Sequence, residues 1–309
     1  MGKNLKVQVL RGIAILAVIL IHTCPKDPAW QIGFRPVVNF GVPMFLFLSG
    51  WLTRQKPQSW LTLYKKRIPR VLIPYLIWTI VYTLVDKTPR SLPYNILTAG
   101  AVYTLYYIPV YIQLVLLTPL VEKLATSRFR WTGLLVTPLV FLLFTYRAGD
   151  LSDRMTLLYY LSFLGWFSYY YFGFLCGDED TISSKHAILA RYLLPAAMLL
   201  QIGEAWLWWK AGWVDCGTPM KLTALFTNLV FMVIICPYLR RKESNTPPFL
   251  QAVGTYAFGI YLIHPLFIRV FSNLPFCLNA LTVLSCSFVT TWILHRVLKD
   301  KISRWLGLI

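Results

Sequence analysis

Two ionisable side chains interrupt the apolar run Leu10–Pro25, LRGIAILAVILIHTCP: Arg11 near its start and His22 near its end. At 100° per residue their spacing closes three helical turns with about 20° left over, so both lie on one stripe, roughly 16 Å apart along the axis. A fixed cation below an imidazole suits a site that grips an anion at one end and moves a proton at the other. The competing reading is interfacial: Arg11 snorkels to one membrane surface and His22 caps the opposite end.

Other segments carry chemistry of the same kind. YKKRIPRVLIPYLIW, from Tyr64 to Trp78, places Arg67 and Arg70 three residues apart. On a helix they share a face, and two guanidiniums can grip a phosphate in bidentate fashion. Orientation of the chain in a membrane, or contact with anionic headgroups, explains such a cluster equally well. GTYAFGIYLIHPLF sets His264 before a proline, where its ring either reaches the depth of His22 or bonds a carbonyl that the proline frees. NFGVPMFLFLSGWL holds Asn39 and the small residues Gly41, Ser49 and Gly50, which permit close helix approach. Glu204, in LLQIGEAWLWW, either orients a histidine or sugar hydroxyl, or pairs with Lys210 near an interfacial belt of Trp206, Trp208 and Trp209.

The elements that position these residues are apolar helices. The 309 residues are 57% hydrophobic, with a mean hydropathy of +0.58, beyond what a soluble domain of this size carries. A bilayer core needs roughly 20 apolar residues per helix. About ten runs meet that length: 7–24, 37–53, 69–86, 104–122, 131–147, 156–176, 190–209, 219–238, 252–272 and 278–297. The fold class expected is all-α, a polytopic membrane helix bundle forming a single domain over 1–309. Lys3 and Lys6 precede the first run, and no small-residue cleavage site follows it, so an uncleaved span is expected. Prolines 43, 74, 109, 138 and 195 fall in or near spans, as kinks around a cavity or as simple packing kinks.

The net charge of +18 does not imply nucleic acid, because the basic residues lie between spans and not on one soluble face. With both termini in the cytoplasm, about seven in ten of the 30 Lys and Arg residues fall on the inner side. The six cysteines, at 24, 176, 216, 236, 277 and 286, have no metal-ligand or disulfide spacing and read as small apolar fillers. No metal is expected.

Taken together, these segments resemble the integral-membrane acyltransferase family three. The likeness rests on Arg-x10-His (Arg11, His22), PMFLFLSGWL, Arg-x-x-Arg (Arg67, Arg70), YYIPVYIQLVLLTPLV and GIYLIHPLF, in that order along nearly the whole chain. The nearest likeness is to short surface-polysaccharide O-acetyltransferases without an esterase-like domain, and no such domain is expected here. At the start of the fourth span relatives often carry Trp-Phe or Trp-Tyr; this chain has Tyr106-Tyr107.

The resemblance implies transfer of an acetyl or other acyl group from acyl-CoA, a donor substrate and not a bound cofactor, to a carbohydrate hydroxyl. Arg67, Arg70, Arg11 and Ser49 form the expected acyl-CoA site. His22 acts as general base, or accepts the acyl group transiently, and Arg11, at the other end of the stripe, is the second catalytic candidate. Asn39, Tyr107, Gln113, Glu204 and His264 are candidates for the acceptor or oxyanion site. The expected location is the cell membrane, with lipids as neighbours. A transporter or flippase gripping a lipid-linked glycan phosphate is the competing function; the paired broken helices of internal repeats that mark many transporters are not found.

Overall fold

The computed structural model describes residues 4–146, 160–178, 181–213, 215–241 and 246–308. Among them no strand occurs. Helix α1 (Leu5–Thr23) opens on Asn4, whose side chain accepts the amides of Lys6 and Val7. After a wide turn at Trp30–Phe34, α2 (Arg35–Val38) leads into α3 (Gly41–Gln55). Helix α4 (Trp60–Val85) and the short α5 (Leu92–Thr98) follow, then α6 (Tyr107–Leu116), α7 (Thr118–Ala125) and α8 (Val136–Val140). Next come α9 (Phe167–Cys176), α10 (Ser184–Lys210) and α11 (Leu222–Arg240). The chain ends with α12 (Pro248–Thr255), α13 (Ala257–Val270), α14 (Phe276–Val297) and α15 (Asp300–Trp305).

Each expected apolar run falls mostly on helix where it is described, with breaks such as Asn39–Phe40, Ser162 and residues 219–221; residues 147 and 156–159 of the fifth and sixth runs lie outside the described residues. Among the described residues six helical stretches are long and apolar enough to cross a membrane. Two further pairs qualify only as bent units: residues 89–98 with 103–116, bent by 40°, and α12 with α13, bent by 76°. The third run differs from expectation. Ser59 caps α4 by accepting the Thr62 amide, so the helix begins well before residue 69. Arg67, ahead of the expected run, therefore stands inside the helix together with Arg70.

Helix α1 lies between two packed groups. Its Val7, Leu10 and Ala14 join Phe47, Trp166 and Tyr170 of one core; its Ile15, Val18 and Ile19 join Tyr82, Ile260 and Val283 of the other. The outer faces of α4, α10 and α14 carry exposed Leu84, Leu199, Leu200 and Leu281. Apolar surface turned outward suits a protein whose solvent is lipid.

Glycine sets the two tightest crossings. Where α3 meets α9, a Cβ on Gly50 would stand 2.0 Å from the Tyr170 carbonyl oxygen, and one on Gly173 2.0 Å from that of Phe47. Where α1 meets α12, a Cβ on Gly12 would collide with the Leu250 carbonyl, and one on Gly254 with that of Gln8. Missing side chains let the backbones touch, which is how helices associate where lipid offers no hydrophobic drive. Gly173→Leu should cost about 1–3 kcal/mol from overpacking, read as a lower thermal midpoint in detergent. Gly203 in α10 has open space around its Cβ position, so Gly203→Ala should match or slightly exceed wild type.

Candidate active site

The α1–α12 crossing carries the 76° bend of α12 into α13 up to the face of α1. Between α1, α3, α4, α6 and this bend lies a cavity of about 720 Å³. Arg11, Lys56, Arg67 and Arg70 line it, with Gln8, Ser49, Tyr107, Tyr111 and Tyr261; its lining includes no carboxylate. Among the described residues neither Arg11 nor Arg70 has a hydrogen-bond or ion-pair partner, although the Tyr107 and Tyr111 rings lie within electrostatic reach of Arg11.

Arg67 is held at one corner. Its Nη1 donates to Thr53 Oγ1 at 2.6 Å, and more weakly to Ser49 Oγ at 3.3 Å and the Ser49 carbonyl at 3.4 Å. The Tyr170 hydroxyl lies 3.2 Å from Thr53 Oγ1 and 2.9 Å from Thr118 Oγ1, which extends the tether into the core. Nε and Nη2 of Arg67 have no partner among the described residues. A guanidinium anchored this way presents its remaining donors with little freedom to lose on binding an anion.

His22 faces inward at the far end of the same stripe. Its Nδ1 is 2.8 Å from the Tyr103 hydroxyl, and its ring stacks on His264 with centroids 5.7 Å apart at 28°. His264 is fully buried. Pro265 has no N–H for the Tyr261 carbonyl four residues back, and the His264 Nδ1 supplies the donor instead, at 2.7 Å. A carbonyl only accepts, so Nδ1 carries a proton, and in the neutral form of the ring the lone pair then lies on Nε2. That Nε2 is buried and without a partner. Both sequence readings of His264 therefore hold together: it bonds the freed carbonyl, and it reaches the depth of His22.

The cavity lining follows α1 through Val7, Gln8, Arg11 and Val18. It ends one turn, about 6 Å, short of His22. Tyr261, at the same level, is one turn before His264. The structure thus groups Arg11, Arg67, Arg70, Ser49 and Tyr107 at one station and His22 with His264 at the next.

Three candidates belong to neither station. Gln113 spends its amide on the backbone, donating to the Leu161 carbonyl at 2.8 Å and accepting from the Phe163 amide at 3.1 Å. Asn39 donates to the Gly217 carbonyl at 2.7 Å, and its remaining buried atom, Oδ1, is an acceptor, the wrong polarity for an oxyanion. Glu204 accepts the Tyr146 and Thr223 hydroxyls. It does not pair with Lys210, whose ammonium sits 4.1 Å over the Trp206 ring.

Sequence reasoning did not single out Tyr103, Tyr261, Lys56 as a cavity residue, or the Gly12–Gly254 contact. The sequence carried signals for three of these without their roles: the glycines as small residues in apolar helices, Lys56 in the basic cluster ahead of the third run, and Tyr261 within GIYLIHPLF. The family described as "Acyltransferase domain" matches residues 4–304. The chain belongs to that acyltransferase family. Among its relatives is a Staphylococcus aureus protein (strain MSSA476) named "Probable poly-beta-1,6-N-acetyl-D-glucosamine export protein", 25% identical over 295 residues, covering 85% of this chain and 82% of the relative. The same-named protein of strain MRSA252 is 25% identical over 257 residues, covering 76% and 71%. No solved structure matches.

A cavity with four cations and no acid should bind polyanions. Isothermal titration of pyrophosphate into the detergent-purified protein should show affinity falling about tenfold in Arg67→Ala, the scale of one lost charge-assisted contact.

Proposed function

We propose that this acyltransferase moves an acetyl group from cytoplasmic acyl-CoA to a hydroxyl of a cell-surface carbohydrate or its lipid-linked precursor. The observation that carries the reading is the acid-free cationic cavity leading along α1 toward a stacked imidazole pair. The diphosphate of CoA supplies the anion that Arg67, Arg70, Arg11 and Lys56 lack. The pantetheine arm then runs along the Arg11–His22 stripe, which places the thioester near His22. Both termini lie in the cytoplasm under the charge bias, and about ten spans cross the cell membrane.

In the transfer, His22 acts as general base. The tautomer required has Nδ1–H donating to the Tyr103 hydroxyl oxygen, which leaves the Nε2 lone pair to receive the acceptor's proton. The acceptor oxygen attacks the thioester carbonyl carbon, the C–S bond breaks, and the proton on His22 passes to the departing CoA thiolate. The oxygen gains an acyl group and CoA leaves as the thiol.

Glycan export is the second reading, favoured by the name of the Staphylococcus aureus relatives. Membrane vesicles supplied with radiolabelled acetyl-CoA and a surface-polysaccharide acceptor distinguish the two. Wild-type protein should label the glycan. His22→Ala should reduce labelling by about 10²–10⁴-fold, the range of general-base catalysis, while still binding CoA; Arg67→Ala should weaken CoA binding. Undiminished labelling by His22→Ala would remove the proposed base, and glycan translocation without labelling would select export.

A further inference from the structure

A second cavity, of about 320 Å³, lies on the other side of the corner between α3 and α4. Its volume is at the lower end of small-ligand pockets, which run about 300–1,000 Å³. Thr53, Lys56, Gln58, Trp60, Glu122 and Phe174 are among its walls. It is not isolated from the arginine-lined cavity. Lys56 lines both, and Arg67 on one wall donates to Thr53 on the other at 2.6 Å.

The chemistry of this pocket differs from that of its neighbour. Arg54 is already matched by Asp178, with Nε 2.6 Å from Oδ1. Lys56 is therefore its unmatched cation among the described residues. Trp60 is half exposed at the start of α4, and its indole N–H donates to Glu122 Oε2 at 3.0 Å. That bond fixes the ring edge at the cavity wall while half of the side chain stays exposed. Glu122 Oε1 has no partner among the described residues, so one carboxylate oxygen remains to accept a ligand N–H. A fixed aromatic face, a free acceptor and one cation match a purine with an exocyclic amine, carried on a phosphorylated sugar.

We propose that this cavity receives the adenosine 3′-phosphate end of the acyl-CoA donor. The inference rests on the acyl-CoA reading and extends it. The purine stacks on Trp60, its amino group donates to Glu122, and the 3′-phosphate meets Lys56. The diphosphate crosses the shared rim to Arg67 and Arg70, and the pantetheine arm enters the larger cavity. A lipid headgroup would bring phosphate to Lys56 without a purine, which leaves Trp60 and Glu122 unused.

The test uses adenosine 3′,5′-bisphosphate in equilibrium dialysis against the full-length protein in detergent. Trp60→Ala should weaken its binding about tenfold, the scale of one base-on-aromatic stack, and Trp60→Phe should retain most of it. Pyrophosphate binding should be the same in all three proteins, which also shows that the variants are folded. In vesicles, Trp60→Ala should raise KM for acetyl-CoA by a similar factor and leave KM for acetyl-pantetheine, which has no nucleotide, unchanged. Equal binding of the bisphosphate by wild type and Trp60→Ala, or no binding by wild type, overturns the subsite. Absence of transfer from acetyl-CoA by wild type overturns the donor reading instead, and the dialysis result still decides the subsite.

Discussion

Unmatched positive charge inside a helix bundle is the constraint on which the rest of this structure turns. A guanidinium withdrawn from water needs an anion, a carbonyl or trapped water to offset lost hydration. Here Arg11 has none among the described residues, Arg67 is satisfied at one nitrogen only, and Arg70 is exposed on the cavity lining with no protein anion beside it. A purely structural cluster of this kind would gain from an acid nearby. Its absence from the lining makes the cavity more favourable when it holds an anionic ligand than when it does not. Folding supplies the stability that keeps such a site open, through contacts elsewhere.

Those contacts are the glycine crossings. Gly50 and Gly173 lock α3 to α9, and α3 carries Ser49 and Thr53, the residues that tether Arg67. Gly12 and Gly254 lock α1 to α12, and the bend after α12 brings Tyr261 and His264 against the C-terminal half of α1. One crossing therefore positions the cationic station and the other the imidazole station. The two are linked by α1, which contributes to both packed cores.

Much of this was legible in residue spacing. The Arg11–His22 stripe needs only the helical repeat, and α1 is one unbroken helix from Leu5 to Thr23. The small residues of the second run announced the α3–α9 contact from one side. What the sequence left hidden has a common cause: it depends on which side chains meet across distant segments. Tyr103 reaches His22 from 81 positions away, and no local pattern marks it. Gln113 and Asn39 have suitable chemistry and depth, yet tertiary contacts bind them to carbonyls at Leu161 and Gly217. The start of α4 was misplaced because the basic residues Lys65, Lys66, Arg67 and Arg70 interrupt its apolar character, whereas Ser59 nucleates the helix ahead of them.

The central claim is that one ligand joins the arginine station to the imidazole station. It is tested most directly by a cryo-electron microscopy map of the protein with a non-hydrolysable thioether analogue of acetyl-CoA. Density should run continuous from a diphosphate at Arg67 and Arg70, past Arg11, to an acetyl carbonyl carbon near enough to the His22 ring for one acceptor hydroxyl to fit between them. Density for the analogue elsewhere, or a pantetheine arm that leaves the bundle before Val18, would contradict it.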